Sequence, residues 1–460
     1  MKHQAPRHRT VLRTTQIALA SAVFALLAAC GGSSGGDNNS NATPASGTKL
    51  QVVAFGTSLT DAGTYSEQIT PGFGGGRFTT NPGEVWAQKV SEYFGYSLDP
   101  AFEGGFGLPL TATGGLDYAQ GGAYVYTGGV SDTSVAIPTA SQQPITWQLQ
   151  QYLAQHGSFN ANQLVLVEGG ANEILNLIET DNAAGLTAFG TALASSTYAT
   201  LVSNTTVQQQ TVAALVQQGF TTAQATALVP AAVLLQVIKA DANASTDFAS
   251  IMPILNAAGE LASLVNTQIA GTPKVAVVTV PDIGKTPAAL AVDAAVSATP
   301  GSSGAPDQAL SLISAAYNLT LIQGLATSIT AKKVVLVDTF SWLDQSITNA
   351  TSLGFKVTNT GTACNLTLMQ QNATNYALAH PSVLGLPAGT SQSVIDAAAA
   401  VYGANFASSL FCSPQTLTTA DAPTTYMFAD QVHPSTALHA QFAAYVETQL
   451  AAAGIGKAPQ

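Results

Sequence analysis

The segment LQVVAFGTSLTD, residues 50–61, joins a short apolar run to a turn of small residues that contains Ser58. Nearly every position of the run LQVVAF (50–55) is apolar, which is typical of a strand covered on both faces of a parallel sheet. A serine in the turn after such a strand lies at the carboxyl edge of the sheet, near the N–H groups that begin the next helix. Ser58 is therefore a candidate nucleophile, and the alternative is a serine that only caps a helix.

Three later runs have the same character: QLVLV (163–167), KVAVVTV (274–280) and KVVLV (333–337). Helix-like segments separate them, such as 142–156, in which apolar residues recur at helical spacing. This alternation predicts one α/β domain over residues 50–456, with three layers, α/β/α, and a central, mostly parallel sheet. The segment ATPGSSGAPD (298–307) is predicted to be flexible, and a helix is predicted over 308–330.

Residues 183–271 form a longer connection than one crossover helix requires, and we interpret them as a helical insertion rather than a second domain. Helix-like runs occupy 211–218, 222–240 and 250–268. The apolar stripe of the second run needs a partner, because a helix does not leave such a stripe facing water. That stripe consists of Val229, Val233, Leu234 and Ile238. It either packs on the flank of the domain or belongs to a cap over Ser58.

The composition excludes several classes of protein. Hydrophobic residues make up 46% of the 460 positions and charged residues only 8%, which excludes a disordered chain and a coiled coil. The formal net charge is −11, although 4 of the 14 basic residues lie within the first 13 positions. Since so acidic a chain repels phosphate backbones, no nucleic-acid partner is expected.

Metal and cofactor motifs are missing from the sequence, which contains no HExxH, CxxC or EF-hand pattern. The tripeptide Gly284-Lys285-Thr286 resembles the end of a phosphate-binding loop. The first glycine of that motif would fall at Thr279, so nucleotide binding is excluded. We therefore expect neither a metal nor any other cofactor.

The N-terminal region has the organisation of an export signal. Residues 1–13 are basic, and residues 17–29 are apolar but too few for a typical membrane-spanning helix, so 1–29 are predicted to be a signal peptide. The sequence Leu27-Ala28-Ala29-Cys30 resembles a bacterial lipobox, which predicts lipidation of Cys30; the alternative is a plain secretory signal. Residues 30–49 would then be the lipid-bearing cysteine and a flexible tether.

These features predict an exported protein that touches the membrane through an N-terminal lipid. It would be a lipoprotein of the outer membrane or the cell surface, or otherwise a periplasmic or secreted protein. The two remaining cysteines, Cys364 and Cys412, form an even pair in an exported chain, which predicts a disulfide between them. Two separate buried thiols are the alternative.

A second candidate catalytic group lies far along the chain, in DQVHPS (430–435). A histidine three residues after an aspartate can have its Nδ1–H oriented by that carboxylate, which leaves Nε2 free to accept the proton of a serine. Beyond the predicted signal peptide the histidines are His156, His380, His433 and His439. Only His433 has an acid at this spacing, in Asp430, and a purely structural loop is the alternative.

Taken together, the motifs resemble those of the GDSL-type SGNH esterases and lipases, over nearly the whole chain after the tether. Family blocks of the form FGDSLTD, NxAxGGA, GxND and DxxHP are similar, in the same order, to FGTSLTD (55–61), DYAQGGA (117–123), GANE (170–173) and DQVHP (430–434). Secondary landmarks are GRFT (76–79), PDIGKTP (281–287) and TNATSLGF (348–355). The resemblance implies a flavodoxin-like SGNH fold with a parallel sheet.

The resemblance also implies a role for each matching residue. Ser58 would be the nucleophile, His433 the base and Asp430 the group that orients the imidazole. The oxyanion hole would consist of the backbone N–H groups of Ser58 and Gly122 and the side-chain amide of Asn172. Glycine suits position 122 because the backbone there must approach the substrate closely.

The chain departs from the family pattern at three positions: Thr57 replaces the motif aspartate, Asp117 replaces an asparagine and Glu173 replaces the aspartate of the third block. None of these changes removes a catalytic group. They put in question the hydrogen bonds that support the serine turn. Asp117 would raise the pKa of His433 if the two side chains were close.

The expected function is hydrolysis of carboxylic esters through an acyl-enzyme on Ser58, with an ester or a lipid as substrate. Two alternatives remain open from the sequence. An acyltransferase would use the same acyl-enzyme and pass the acyl group to an alcohol. A non-catalytic surface protein would keep the scaffold only. The sequence does not determine the oligomeric state, the acyl chain length or the alcohol.

Overall fold

The computed structural model of the protein describes residues 49–105, 108–128, 134, 141–178, 183–298 and 305–456. The predicted signal peptide, the lipidation site Cys30 and the tether up to residue 48 lie outside these residues. Residues 299–304 of the segment predicted to be flexible lie outside them as well.

Four parallel strands form the central sheet, in the order β1, β4, β5, β6. These are β1 (Gln51–Phe55), β4 (Gln163–Glu168), β5 (Lys274–Val278) and β6 (Val334–Val337). They coincide within one to two residues with the four predicted runs, and they confirm the predicted α/β class and parallel sheet. A separate antiparallel pair consists of β2 (Phe102–Gly105) and β3 (Leu108–Ala112).

Helices occupy most of the remaining described chain. In chain order they are α1 (Ser66–Phe73), α2 (Trp86–Tyr93), α3 (Ile145–His156), α4 (Ala171–Leu175), α5 (Ala183–Ser195), α6 (Tyr198–Ser203), α7 (Thr205–Gln217), α8 (Thr222–Ala227), α9 (Val229–Ala240), α10 (Ala244–Asp247), α11 (Met252–Gln268), α12 (Pro287–Ala298), α13 (Pro306–Thr330), α14 (Thr339–Thr348), α15 (Leu366–Ala379), α16 (Gln392–Asn405), α17 (Ala422–Thr425) and α18 (Thr436–Ala452). Three short 3₁₀ segments lie at Ile283–Lys285, Pro381–Leu384 and Ser409–Phe411.

Apolar cores lie on both faces of the sheet, because alternate residues of each strand point to opposite sides. Val53 and Phe55 of β1 belong to a core built with α3, α11 and α13. Val52 and Ala54 belong to a core built with α2, α14 and α18. This arrangement explains why all six residues of β4, a central strand, are buried.

The insertion over 183–271 consists largely of helices, and it packs on the flank of the domain. Its apolar stripe is buried, and α9 and α11 lie against the long helix α13. The predicted helix over 222–240 is in fact two helices, α8 and α9, which meet at Leu228. Pro230 lies in the first turn of α9, where its missing N–H and fixed φ favour a helix start rather than a helix interior.

Helix α13 begins at Pro306, two residues before its predicted start. It is the one helix among the described residues that is long and apolar enough to cross a membrane by length and composition, and half of that apolar stretch is buried inside the protein. Its Asn318 side chain accepts a hydrogen bond from the Val280 N–H and donates one to the Val280 carbonyl, both at 2.8 Å. These bonds fix the helix to the segment that follows β5.

The C-terminal third contains a smaller apolar cluster around Cys364 and Cys412, together with residues of α1 and α15. The two cysteines form the predicted disulfide, with their Cα atoms 5.7 Å apart. Each cysteine is completely buried. The bridge therefore joins the segment before α15 to the segment that follows Ser409–Phe411.

Candidate active site

The structure places Ser58, His433 and Asp430 in one hydrogen-bonded row at the carboxyl edge of the sheet. Ser58 Oγ lies 2.9 Å from His433 Nε2, and His433 Nδ1 lies 2.7 Å from Asp430 Oδ2. An ionised carboxylate can only accept, so Nδ1 carries the proton and Nε2 is the acceptor for the Ser58 hydroxyl. The serine and histidine are 375 residues apart in sequence, and the fold brings them into contact.

Local hydrogen bonds explain how the histidine loop takes this shape. Asp430 Oδ1 accepts from the N–H groups of Val432 at 2.8 Å and His433 at 2.7 Å, which closes a tight turn. The Ala429 N–H donates to the His433 carbonyl at 2.8 Å. Ser435 then caps α18 by accepting from the Leu438 N–H. The motif DQVHPS is thus an aspartate-centred turn followed by a helix start.

The charge state of Asp430 follows from these contacts. Burial alone would raise the pKa of Asp430, but the charge of His433 and the hydrogen bonds from its ring and backbone outweigh burial and bring that pKa to about 2. Asp430 is therefore ionised at neutral pH. An ionised carboxylate stabilises the imidazolium that forms when His433 accepts a proton.

The turn that carries Ser58 is held by side chains from two other elements. Gln148 of α3 accepts from the Gly56 N–H and donates to the Gly56 carbonyl, both at 2.9 Å. Glu168, at the end of β4, accepts from the Thr57 N–H at 3.0 Å and from the Thr57 hydroxyl at 2.9 Å. A Cβ at Gly56 would lie only 2.9 Å from Glu168 Oε2, so a larger residue there would displace the carboxylate that holds the turn.

Glu168 supplies hydrogen bonds that support the serine turn although position 57 is a threonine. Where the GDSL-type motif that this segment resembles has an aspartate, this chain has a hydroxyl that donates to a carboxylate supplied by the neighbouring strand. The Thr60 hydroxyl donates to the same carboxylate at 3.2 Å. Burial raises the pKa of Glu168, and the hydrogen bonds from Thr57 and Thr60 and the charge of His433 oppose that shift.

Asp117 is held by backbone groups close to the serine turn. Its carboxylate accepts from the N–H groups of Ala62 and Ala119, and its charged neighbour is Asp61. Asp61 in turn accepts from the Gly121 N–H at 2.9 Å. Burial and then the nearby Asp61 raise the pKa of Asp117 well above its ordinary value. These two carboxylates join the serine turn to the segment that contains Gly122.

Hydrogen bonds link the segments that carry the three expected oxyanion donors. The Gln120 N–H donates to the Gly56 carbonyl at 3.2 Å, two residues from Ser58. The Asn172 side-chain amide donates one hydrogen to the Ala123 carbonyl at 2.7 Å, next to Gly122, and its second hydrogen remains for another acceptor. Gly122 has a φ of +80°, a conformation that side chains rarely adopt.

Glu173 lies beside Asn172 and supports the same region. Its carboxylate accepts from the Val125 N–H at 2.6 Å, while its second oxygen is buried and has no hydrogen-bond partner among the described residues. Burial raises the pKa of Glu173 to about 7. Glu173 therefore fixes the loop after Gly122 through the Val125 N–H.

One aromatic ring packs on the histidine, and two backbone N–H groups hold the segment that carries Asp430. The Phe78 ring lies 5.0 Å from the His433 ring, centroid to centroid. The Ser409 N–H donates to Asp430 Oδ2, the oxygen that also faces His433. The Cys364 N–H donates to the Ala429 carbonyl at 3.0 Å. Since Ser409 lies just before Cys412, the disulfide connects two segments that position Asp430.

Sequence reasoning missed Glu168, Gln148 and Ser409 as residues of the site. Only Glu168 gave a local signal, because an acid directly after a buried run is unusual. Gln148 lies on an ordinary-looking amphipathic helix. Ser409 contributes its backbone N–H, which no side-chain pattern reveals.

An apolar cavity opens beside the row of Ser58 and His433. Its lining includes Asn172 and Leu175 near the serine and the rings of Trp86, Trp342 and Phe442 farther inside. No described residue of the insertion over 183–271 lines it. The described residues therefore support the alternative in which the insertion packs on the flank of the domain. None of the insertion's described residues makes the contact with the cavity that a cap would make.

No group of three or more side chains that could hold a metal ion occurs within the described residues. In comparisons with known proteins, no family model matches the chain, and no curated protein matches it.

Proposed function

We propose that this protein is a serine ester hydrolase of the GDSL type, which cleaves carboxylic esters through an acyl-enzyme on Ser58. The observation that carries the proposal is the hydrogen-bonded row in which Ser58 Oγ faces His433 Nε2 and His433 Nδ1 faces Asp430. A serine whose hydroxyl is bonded to a histidine that is itself oriented by a buried carboxylate is an activated nucleophile.

The first half of the reaction forms the acyl-enzyme. Ser58 Oγ attacks the ester carbonyl carbon while its proton moves to His433 Nε2, and the negative charge collects on the carbonyl oxygen. The N–H groups of Ser58 and Gly122 and the free amide hydrogen of Asn172 stabilise that oxyanion. The carbon–oxygen bond to the alcohol breaks, and the alcohol leaves with the proton from His433.

The second half regenerates the enzyme. A water molecule gives a proton to His433 Nε2 and attacks the acyl carbon, which again places negative charge on the carbonyl oxygen. The bond to Ser58 Oγ breaks, the carboxylic acid leaves and Ser58 recovers its proton from His433. Asp430 stays ionised throughout and stabilises the imidazolium.

The motif order supports the assignment to the GDSL-type family, and the basic and apolar N-terminal segments support export. We propose accordingly that the protein acts outside the cytoplasm, anchored by a lipid on Cys30. An exported location also suits the Cys364–Cys412 disulfide, since such bonds persist in oxidising compartments.

The direct test is hydrolysis of p-nitrophenyl acetate by the purified protein, with Ser58→Ala as the matched blank. We expect turnover by the natural protein and a loss of several orders of magnitude in Ser58→Ala, with an unchanged circular dichroism spectrum. Equal rates in the two proteins, or no turnover of any simple ester by the natural protein, would refute the proposal.

A further inference from the structure

We propose that the amino edge of the central sheet is a cationic face that docks on an anionic lipid bilayer, beside the point at which the predicted tether enters the domain. The bilayer is the one that would carry the lipid predicted on Cys30. This docking does not depend on ester hydrolysis, so it stands apart from the proposed function.

Lysines lie at the start of three of the four strands of the sheet. Lys274 is the first residue of β5, Lys333 directly precedes β6, and Lys49 lies two residues before β1. Lys332 adds a fourth charge beside Lys333. Because the strands are parallel, all four lysines lie at the edge opposite to Ser58, which follows the end of β1. We call these four residues the lysine edge.

The register of the sheet brings two of these lysines together. Val275 of β5 pairs with Val334 of β6, so Lys274 and Lys333, directly before them, are neighbours across the strand pair. Adjacent strands are about 5 Å apart, which sets the distance between the two backbones. Like charges in this position repel each other and lower stability.

The backbone at Lys332 carries a second cost. Its φ is +54°, in the left-handed region that glycine usually supplies after the end of a helix. A cation is favourable near the C-terminus of α13, but that attraction does not require two successive lysines and a third across the strand pair. Retention of a costly conformation points to a function of the side chain at this surface.

The charges of the lysine edge are open to solvent. All four residues are exposed, and the lysines that form ion pairs within the described part of the chain are others, Lys89 and Lys356. Since a lysine side chain is a donor with a full positive charge, the edge presents unpaired cations to whatever lies against it.

The course of the chain identifies the surface that lies against this edge. Lys49 is the first described residue, and the predicted tether from Cys30 directly precedes it. A flexible tether over residues 30–48 has an average span of about 25 Å. The edge is thereby kept near the bilayer, where attraction between lysines and anionic headgroups acts within about 10 Å.

The rest of the molecule favours the same orientation. The formal net charge is −11, so an anionic bilayer repels the acidic faces while it attracts the lysine edge. Tyr96 is 42% exposed, and its ring centroid lies 5.9 Å from Lys49 Nζ. Tyrosine favours the boundary between bilayer and water. With this edge on the bilayer, Ser58 faces away from it and meets substrates that arrive from the opposite side.

The experiment anchors the protein in a defined way and maps which lysines the bilayer covers. The chain from Cys30 onward has one cysteine outside the Cys364–Cys412 disulfide, so its Cys30 thiol can be coupled to a maleimide phospholipid in vesicles. The vesicles contain phosphatidylcholine alone or phosphatidylcholine with an equal amount of phosphatidylglycerol. Lysines are acetylated briefly with a water-soluble N-hydroxysuccinimide ester and quantified by peptide mass spectrometry.

We expect the lysine edge to be acetylated about threefold or more slowly on the vesicles with phosphatidylglycerol than on those without it. The difference should vanish in 1 M NaCl, where the screening length is about 3 Å. Lys239 and Lys356, which are exposed on other parts of the domain, should be acetylated equally on both kinds of vesicle.

A pair of matched variants separates the edge from net charge. In Lys274→Gln/Lys333→Gln, the protection of Lys49 should be lost, because each lysine near an anionic surface strengthens binding about fivefold. Lys239→Gln/Lys356→Gln removes the same charge from other surfaces and should keep the protection of Lys49.

Other results would overturn the proposal. Equal acetylation of the lysine edge on the two kinds of vesicle would show that the tether alone sets its distance from the bilayer. Protection of Lys285, in the segment after the carboxyl end of β5, would place the opposite edge on the bilayer. If Lys274→Gln/Lys333→Gln lowers the melting temperature and leaves the protection of Lys49 intact, the lysines serve only the ends of helices and strands.

Discussion

Glu168 accepts both the backbone N–H and the hydroxyl of Thr57, the residue directly before the proposed nucleophile. The two residues are 111 positions apart and are brought together because β1 and β4 are neighbouring parallel strands. The pair fixes the turn after β1 through a buried carboxylate.

This contact predicts that Thr57 and Glu168 act as one unit. Thr57→Val leaves the buried carboxylate short of a donor, which should cost about 1 to 3 kcal/mol of stability. It should also lower kcat about tenfold, because Ser58 loses its fixed position. A double-mutant cycle would compare the natural protein, Thr57→Val, Glu168→Gln and the variant with both changes. The effects of the two changes on kcat and on melting temperature should not be additive.

Thr60→Val is the control for that cycle. Thr60 donates to the same carboxylate but is not next to Ser58 in the chain. We expect a similar loss of stability and a smaller loss of kcat. Equal effects on kcat from Thr57→Val and Thr60→Val would show that the pair is only structural.

The base and its partner should differ in their effects. His433→Ala removes the proton acceptor and should lower kcat by roughly 10⁶, whereas Asp430→Ala removes only orientation and charge support and should cost roughly 10⁴. Assays at high enzyme concentration, quenched at fixed times, would measure the residual kcat of both variants. An Asp430→Ala variant less active than His433→Ala would contradict these roles.

The value of kcat/KM should decline only on the acid side of its pH profile. Asp430 has a depressed pKa of about 2, so its contribution to stability is present above its unfolded value of about 3.9 and is lost only as the pH falls toward 2. It does not titrate between pH 5 and 8, so we expect any fall of kcat/KM in acid over this range to report protonation of the proposed histidine base. A kcat/KM that is constant from pH 5 to 8 would argue against a histidine base.

Glu173 should make the protein less stable as the pH rises. Its folded pKa is raised to about 7, so its contribution is fully present below the unfolded value of about 4.3 and is lost as the pH rises through 7. Glu173→Gln keeps an acceptor for the Val125 N–H and cannot ionise. The gain in melting temperature from this change should therefore be larger at pH 8 than at pH 5, and an equal gain at both would refute the assignment.

The disulfide should matter for activity as well as for stability. Cys364 and Cys412 are 48 positions apart, for which chain entropy gives about 4 kcal/mol. Because the segments at both ends bond to Ala429 and Asp430, the Cys364→Ser/Cys412→Ser variant should also lose part of its kcat at a temperature where it is folded. Alkylation with intact-mass analysis should find no free thiol at these two positions in the natural protein. Retention of full kcat by the double variant would limit the bridge to a structural role.

The strands and the row of Ser58, His433 and Asp430 could be predicted from the sequence because each has a local signature. The pattern of β1 is a short apolar run, and the pattern of the histidine turn is an aspartate followed three residues later by a histidine. The support of the serine turn could not be predicted, since Gln148 and Glu168 lie about 100 residues from Gly56 and Thr57. Only the pairing of strands and the packing of α3 reveal them.

The cavity was equally hidden, and the expectation of a cap shows why. The apolar stripe of Val229 and Val233 required a partner, but periodicity does not say which one. The partner is α13, which carries its own apolar faces. The cavity instead lies among residues such as Trp86 and Phe442, which sequence patterns assign simply to a core.

The central claim is that Ser58 becomes acylated with the help of His433, and covalent labelling tests it most directly. The purified protein is treated with a fluorophosphonate, digested and mapped by peptide mass spectrometry, alongside Ser58→Ala and His433→Ala. The account predicts one adduct, on Ser58, which is absent from Ser58→Ala and forms at least a hundredfold more slowly in His433→Ala. An adduct on another serine, or labelling of Ser58 at the same rate without His433, would contradict it.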